Sequence, residues 1–352
     1  MRMALRRVVL PLTSPWQTSY GSVRERTLLI VSLTDDEGVT GYGEAAPLPD
    51  YDGVSVEHVE RALRRYGPVL DAARVGGGGG APRSSGAALL DACREIDDLP
   101  QALAAVDLAL WDLAGRREGR PVAELLSDHP SAEVTVNAML TPVDRAGAAA
   151  AAAAAVEEGF WCLKVKVGLG DDAGRVAAVR AAAGPQTALR LDANGAWSVD
   201  EAVRAIDTLA PAGLELVEEP THGLRAVRAV RERVAVRVAI DETAAEPGAL
   251  GAGVADAVCL KISRSGGISG LLAAAALVRA SGAEPYLAST LDGPLGIAAA
   301  VHCAAALAAH GPLPPCGLAT LSMFAGPSEQ LPVRGGAIAV PEGAGLGVEA
   351  PE

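Results

Sequence analysis

Two lysines one residue apart, Lys164 and Lys166, sit in the run Leu163-Lys164-Val165-Lys166-Val167-Gly168. In an extended strand both project from one face. If that face is sheltered, one ammonium destabilises its neighbour's charged form and brings a lysine towards the pKa of a working base. The same hexapeptide also reads as a solvated edge strand with both lysines in water, and taken alone it leaves the two readings open. Further along, Asp192 and Asn194, Glu218 and Glu219, Asp241 and Glu242, and Lys261 each close a short apolar run, at intervals of 20 to 26 residues from Lys166 onwards. An acidic residue after a strand is often just the cap of the next helix. Five successive strand ends bearing the acids and bases of one plausible site favour chemistry over capping.

Asp192, Glu218 and Asp241, on adjacent strands and without accompanying histidines, make a hard-oxygen set suited to Mg2+, with Mn2+ as the other fit. The histidines His58, His129, His222, His302 and His310 show no close metal-ligand spacing, which disfavours zinc. A substrate carboxylate held there would have its α-carbon between amines from the second and sixth strands. Removing the α-proton builds charge on an already anionic group, and a divalent cation with a nearby lysine stabilises the enediolate. The constellation predicts proton abstraction α to a carboxylate.

Such a site needs elements that return to one mouth. From Val134 onwards short β-branched runs alternate with Ala-rich helical stretches, as in parallel βα units. The strand candidates are Val134–Met139, Cys162–Val167, Ala188–Asp192, Leu214–Glu218, Val236–Asp241, Ala257–Ile262, Glu284–Ala288 and Gly317–Leu321. Eight repeats predict an α/β fold, a (β/α)8-type, TIM-like barrel over residues 126–323, with catalytic groups at the C-terminal strand ends. An open doubly wound sheet is the alternative, but its glycine fingerprint is missing. Thr141-Pro142 and the Ser198–Glu201 capping box mark helix starts, and Ala148–Ala155 reads as helix.

Upstream, residues 3–45 read as a short antiparallel sheet, with a turn at Asp35-Asp36-Glu37-Gly38. Ser14–Val23 lacks periodicity and reads as a loop. Helical patterns follow at Val56–Ala72, Gly86–Glu95 and Gln101–Arg116. Gly76–Gly80 reads as a flexible connector, since no Lys-Ser/Thr follows it to make a phosphate loop. Sheet then helices make an α+β module of residues 1–125.

The 43 acidic and 30 basic residues leave a net charge of -13, which argues against nucleic-acid and anionic-membrane partners. Half the residues are hydrophobic but 3% are aromatic, so the core must be built from Ala, Val and Leu. Five cysteines, an odd number in mostly apolar runs, read as reduced thiols of a cytoplasmic protein. Met1–Leu10 carries arginines and no apolar signal core, and Leu295–Ala309 falls short of a membrane span. The expected partner is a small-molecule carboxylate; a homo-oligomer is left open.

The chain resembles the enolase superfamily, and within it the muconate lactonising subgroup, over nearly its whole length. The residues that carry the resemblance are Gly41-Tyr42-Gly43-Glu44, Val106-Asp107-Leu108-Ala109-Leu110-Trp111-Asp112, Lys164-Val165-Lys166, Leu191-Asp192-Ala193-Asn194 and Val217-Glu218-Glu219-Pro220. Asp241-Glu242-Thr243, Lys261 followed by Gly266-Gly267, and the closing Gly345-Leu346-Gly347-Val348-Glu349 complete it. A Lys or His base beside Mg2+ is the known pattern of that superfamily. The resemblance implies a capping domain formed by the N-terminal module and the tail 324–352. It implies Asp192, Glu218 and Asp241 as Mg2+ ligands, Lys166 as general base, Lys164 as the neighbour that lowers its pKa, and Lys261 on the opposite substrate face. Asp292 stands where the subgroup usually has Glu, and with Ser289 and Asn194 is implied to meet the substrate. Trp16, Tyr20 and Tyr51 would close over it. Thr243 replaces a usual Ser, and Glu219 a frequent Gln.

Members of the subgroup share the first step and differ in outcome. Dipeptide epimerases resembling this chain carry Asp-x-Asp on the eighth strand for the substrate ammonium. Here Cys316-Gly317-Leu318-Ala319-Thr320-Leu321 has no acid, and an unpaired ammonium in a low-dielectric site is costly. That run is similar to the eighth strand of o-succinylbenzoate synthases. The resemblance therefore implies a lyase of menaquinone biosynthesis, with Lys166 taking the α-proton and returning it to the departing hydroxide. The alternative is an isomerase sharing that first step: a dipeptide epimerase, an N-acylamino acid racemase or a muconate-type cycloisomerase. Arg264 recurs across several branches and does not separate them.

Overall fold

The computed structural model describes residues 1–18, 21–73, 85–141 and 144–352. Three antiparallel strands, Arg2–Thr18, Gly21–Thr34 and Thr40–Ala45, open the chain. The first two pair from Arg2 opposite Thr34 to Thr18 opposite Gly21, with a register shift between Pro11 and Trp16. The described part of Ser14–Val23 is therefore strand, not loop. Both faces at its outer end are largely solvated, so no alternation of apolar and polar residues marks it, and cross-strand pairing supplies the order. Asp35 shapes the following turn by accepting the Glu37 and Val39 N–H groups, each at 2.9 Å.

The helix Pro100–Glu118 lies directly on this sheet. A Cβ on Gly43 would stand 1.9 Å from the Ala105 carbonyl oxygen, and one on Gly41 2.3 Å from that of Ala109. Backbone contact of this kind is what the Gly-Tyr-Gly motif provides. Helices Val56–Ala72 and Gly86–Ile96, capped by the Ser55 and Ser85 hydroxyls, pack beside it. Leu29, Val31 and Leu33 meet Leu63, Leu70, Leu103 and Val106 in the module's own core. Gly76–Gly80 lies outside the described residues.

Seven parallel strands follow in sequence order: Ala138–Leu140, Cys162–Lys166, Ala188–Asp192, Leu216–Glu218, Arg237–Ile240, Ala257–Leu260 and Glu284–Leu287. Cys316 bridges to Val136 and Gly317 to Ala288, which closes the sheet into the (β/α)8 barrel. The eighth strand is thus shorter than Gly317–Leu321. Pro314 and Pro315 before it donate no ladder hydrogen bond, and Leu321–Met323 already turns as a 3-10 helix. Val134–Met139 is likewise divided. Glu133–Thr135 pairs antiparallel with Ala337–Ala339 of the tail, and Ala138–Leu140 enters the barrel.

The Ala-rich run is helix Arg145–Glu157, started by the Asp144 carboxylate on the Gly147 N–H at 2.8 Å rather than by Thr141; Pro142 lies outside the described residues. The Ser198–Glu201 capping box is present. The cysteines are all buried and unpaired with one another. Among the described residues no helix is long and apolar enough to cross a membrane.

His302, on the buried barrel helix Pro294–Ala308, joins three parts of the chain. Its Nδ1 accepts the Ala123 N–H at 3.1 Å and its Nε2 lies 3.1 Å from the Leu346 carbonyl, which fixes a neutral ring donating from Nε2. Leu346 in turn donates its N–H to Asp112 at 2.7 Å. Burial pushes the His302 imidazole down to about 4. Between an unfolded value of about 6.5 and that folded value, the unfolded chain binds the proton and the folded chain does not. Its contribution is complete above about pH 6.5, falls as the pH drops through the window, and is lost by pH 4, a span of roughly 3 kcal/mol. Urea unfolding at pH 7 and pH 5 should show roughly 2 kcal/mol more loss in the wild type than in His302→Gln. Equal losses in the two proteins would refute the assignment.

Candidate active site

Strand register brings the central residues abreast. In Cys162–Lys166 the alternate residues Leu163 and Val165 are buried, and Lys164 and Lys166 point the other way into a pocket at the C-terminal mouth of the barrel. Lys166 pairs with Asp192 across the ladder and Asp192 with Glu218. Asp241 and Lys261 stand one residue beyond the ends of the next two strands. The solvated-edge reading of the two lysines does not hold.

Lys164 reaches 3.0 Å from Asp192 and 2.8 Å from Glu218. Burial alone would lower the pKa of its ammonium, but Asp192 and Glu218 outweigh that and hold it well above the ordinary range. Lys166 behaves differently. It makes no hydrogen bond or ion pair among the described residues, and its nearest aromatic partner is the Trp16 ring, 5.9 Å to the centroid. Burial lowers its pKa, Asp192 opposes, and the Lys164 and Lys261 charges add to the fall. The neighbour effect expected from the Lys-x-Lys pair is therefore present and secondary to burial.

Lys261 donates to Asp241 at 2.7 Å and to the Tyr51 hydroxyl at 2.6 Å. Burial would lower it, but Asp241 prevails and keeps it protonated. Tyr51, from the N-terminal module, donates to Asp241 at 2.9 Å and also accepts from Arg264. Arg264 spans to the Asp241 carbonyl as well, a tie that its place three residues after Lys261 could have signalled. Glu218 is fully buried and does not line the pocket, accepting from Lys164 and from the Tyr286 hydroxyl at 2.8 Å. Burial pushes its carboxyl up to about 7 against the pull of Lys164, and the charges of Asp192 and Asp241 add to the rise.

Asn194 lines the pocket and donates to Glu242 at 3.1 Å, while its Oδ1 is buried with no hydrogen-bond partner among the described residues. Both Asn194 and Glu219 have positive φ, 44° and 41°, backbone strain of the kind that collects at functional strand ends. The Glu219 carboxylate accepts the Asp241 N–H at 2.8 Å, the Thr243 N–H at 3.0 Å and the Thr243 hydroxyl. It aims Asp241, and Thr243 supplies the hydroxyl that the usual Ser would. Ser289 and Trp16 line the pocket; Tyr20 lies outside the described residues.

Asp292 is not placed as a substrate contact. It does not line the pocket, and its short side chain folds back to accept the Thr290 N–H at 3.1 Å and the Thr290 hydroxyl at 3.0 Å. It lies near Arg26 of the N-terminal sheet, which donates to the Ala46 and Pro47 carbonyls at 2.8 Å and reaches the Leu291 carbonyl at 3.3 Å. Glu44 accepts the Gly293 N–H at 2.6 Å, and burial plus the Asp292 charge pushes its carboxyl up to about 8. Asp292 therefore helps lock the seventh strand's loop against the sheet. Asp50, Asn137 and Thr320 line the pocket without having been singled out from the sequence. Asp50 had the signal of standing next to Tyr51.

Asp192, Glu218 and Asp241 suit a hard divalent cation by donor type and by charge. They are buried on three consecutive strands, and Glu218 and Asp241 bring carboxylate oxygens within 4.8 Å of each other.

A family model described as the mandelate racemase / muconate lactonizing enzyme N-terminal domain matches residues 2–127, and one described as enolase C-terminal domain-like matches residues 147–352. The L-Ala-D/L-Glu epimerase of Bacillus subtilis is 33% identical over 87% of this chain and 84% of its own. Its substrate-liganded structure superposes with a TM-score of 0.87 at 29% identity, covering 99% of this chain and 98% of that one. Muconate cycloisomerase 1 of Rhodococcus opacus is 32% identical over 96% of this chain and 92% of its own. The dipeptide epimerase of Enterococcus faecalis, complexed with Mg and L-Leu-L-Tyr, has a TM-score of 0.85 at 26% identity, with 98% of each chain covered. With both family models matched in order and the lysines and carboxylates gathered at one barrel mouth, the chain belongs to the enolase superfamily, in its muconate lactonising subgroup.

Proposed function

We propose that the protein is an isomerase that inverts the carbon α to the carboxylate of an amino-acid derivative, a dipeptide or an N-acylamino acid. The observation that carries this reading is the placement of Lys166 and Lys261 on strands two and six of one pocket, with Asp192 and Asp241 lining it between them. Two amines on opposite walls suit removal of a proton from one face and its return to the other. Their environments differ in the right sense: Lys166 is unpaired and lowered, and Lys261 is held protonated by Asp241.

Asp192, Glu218 and Asp241 would hold Mg2+, which supplies positive charge to the substrate carboxylate as the α-proton leaves. Lys166 takes that proton at Nζ, and the Lys261 ammonium delivers one from the other side. In the reverse direction the two exchange roles. Lys164 stays charged and fixes Asp192 and Glu218. Tyr51 and Arg264 orient Lys261 through Asp241, and Trp16 and Tyr51 shelter the pocket from water.

The dehydration implied by Cys316–Leu321 rests on that run alone, whereas the relatives named above support an isomerase. A muconate-type cycloisomerase would share the lysine step and end in ring closure. Incubation with MgCl2 in D2O, with a panel of dipeptides and N-acylamino acids followed by proton NMR, should show loss of the α-proton signal and growth of the epimer. Absence of exchange across the panel, with dehydration of the cyclohexadiene precursor of o-succinylbenzoate, would overturn the reading.

A further inference from the structure

The wall of the pocket opposite the carboxylates is uncharged. From strands one, seven and eight it presents Asn137, Met139, Ser289, Ala319 and Thr320. Asn137 is 4% exposed and Thr320 9%, and the Thr320 hydroxyl has no hydrogen-bond partner among the described residues. A buried hydroxyl without a protein partner beside a pocket is left to a water or to a ligand that enters it. A peptide amide supplies both a donor and an acceptor for it and for the Asn137 carboxamide.

Among the described residues, the lining has one charged group besides Lys164, Lys166, Asp192, Asp241 and Lys261, namely Asp50. It stands in the short helix Pro49–Asp52, beside Tyr51, and is exposed. It makes no hydrogen bond or ion pair among the described residues. Outside the reaction centre the described lining therefore offers a substrate no cation and one anion. A second carboxylate there would be desolvated without a counter-charge and repelled by Asp50. An ammonium would gain a charge-assisted hydrogen bond.

We infer that Asp50 is a specificity-determining residue, and that the substrate is a dipeptide with a free amino terminus. Its amide is held by Asn137 and Thr320, and its ammonium meets Asp50 of the N-terminal module in place of eighth-strand acids. The inference rests on the α-carbon inversion proposed above.

Three substrates sharing one C-terminal residue test it: a free-amino dipeptide, the N-acetyl amino acid and the N-succinyl amino acid. Rates of α-deuteration with Mg2+ give kcat/KM for wild type and Asp50→Asn. In the wild type the dipeptide should exceed the acetyl compound by roughly twofold to fivefold, with the succinyl compound slowest. In Asp50→Asn the dipeptide-to-acetyl ratio should fall towards one. An equally good or better succinyl substrate, or a variant that lowers all three rates alike, would overturn the role of Asp50 while leaving α-inversion standing. No exchange with any of the three would remove the inversion reading and this inference with it.

Discussion

Lys166→Ala is expected to eliminate α-proton exchange for one epimer of the substrate and to spare exchange of the other through Lys261. Lys261→Ala should give the opposite pattern. Epimerisation needs both amines and should be lost in each variant, by about 10²-fold to 10⁴-fold, the usual contribution of a positioned general acid or base. That loss corresponds to roughly 3 to 5 kcal/mol of barrier. The asymmetry is the informative part, because loss of fold or of metal affinity would depress exchange of both epimers together. Retained exchange of both epimers in both variants would exclude a two-lysine mechanism.

The lowered pKa of Lys166 adds a pH criterion. A base works in its neutral form, so the rate for the epimer it deprotonates should rise with pH and level off below the free-lysine value of about 10.4. That limb should vanish in Lys166→Ala, and a limb at or above the free-lysine value would contradict the burial argument. Lys164→Ala has a different prospect. Glu218 and Asp192 would lose the ammonium between them, and buried carboxylates left unpaired are costly.

The site was legible in the sequence wherever a side chain is tied to a strand end, because the βα repeat returns Lys166, Asp192, Glu218, Asp241 and Lys261 to one mouth at a regular interval. Residues placed by tertiary contact were not. The first strand's outer half has no period of its own and is ordered by its partner. Asp292 resembled a substrate contact by position, but a side chain one carbon shorter finds Thr290 first. Asp50 reaches the pocket through the docking of one module on another, a distance relation that no local pattern encodes, and its neighbour Tyr51 is expected there through the family resemblance alone. The eighth strand illustrates the converse. Its resemblance to a synthase concerned a short run, and whole-chain similarity weighs against it.

Mg2+ should stabilise the wild-type protein, and Glu218→Gln should remove that response. Glu218 and Asp241 bring buried carboxylate oxygens within 4.8 Å of each other, and Lys164, Lys261 and Arg264 share the charge of these acids with any cation that enters. A cation that binds the folded chain adds about 2.7 kcal/mol at a hundredfold excess over its Kd, a rise in Tm of roughly 4 °C for a chain of this size. Glutamine keeps the shape of Glu218 and an oxygen to accept from Tyr286, so the variant should fold. It loses one anionic donor, and α-exchange should fall with the Tm response. Glu215→Gln is the control: Glu215 pairs with Arg190 at 2.8 Å and does not line the pocket, so its Mg2+ response should match the wild type. A chelator should abolish exchange in both proteins that bind Mg2+, and added Mg2+ should restore it. A Tm unmoved by millimolar Mg2+ in the wild type, or an unchanged rise in Glu218→Gln, would show that these three carboxylates exist to hold Lys164 and Lys261 and not a metal.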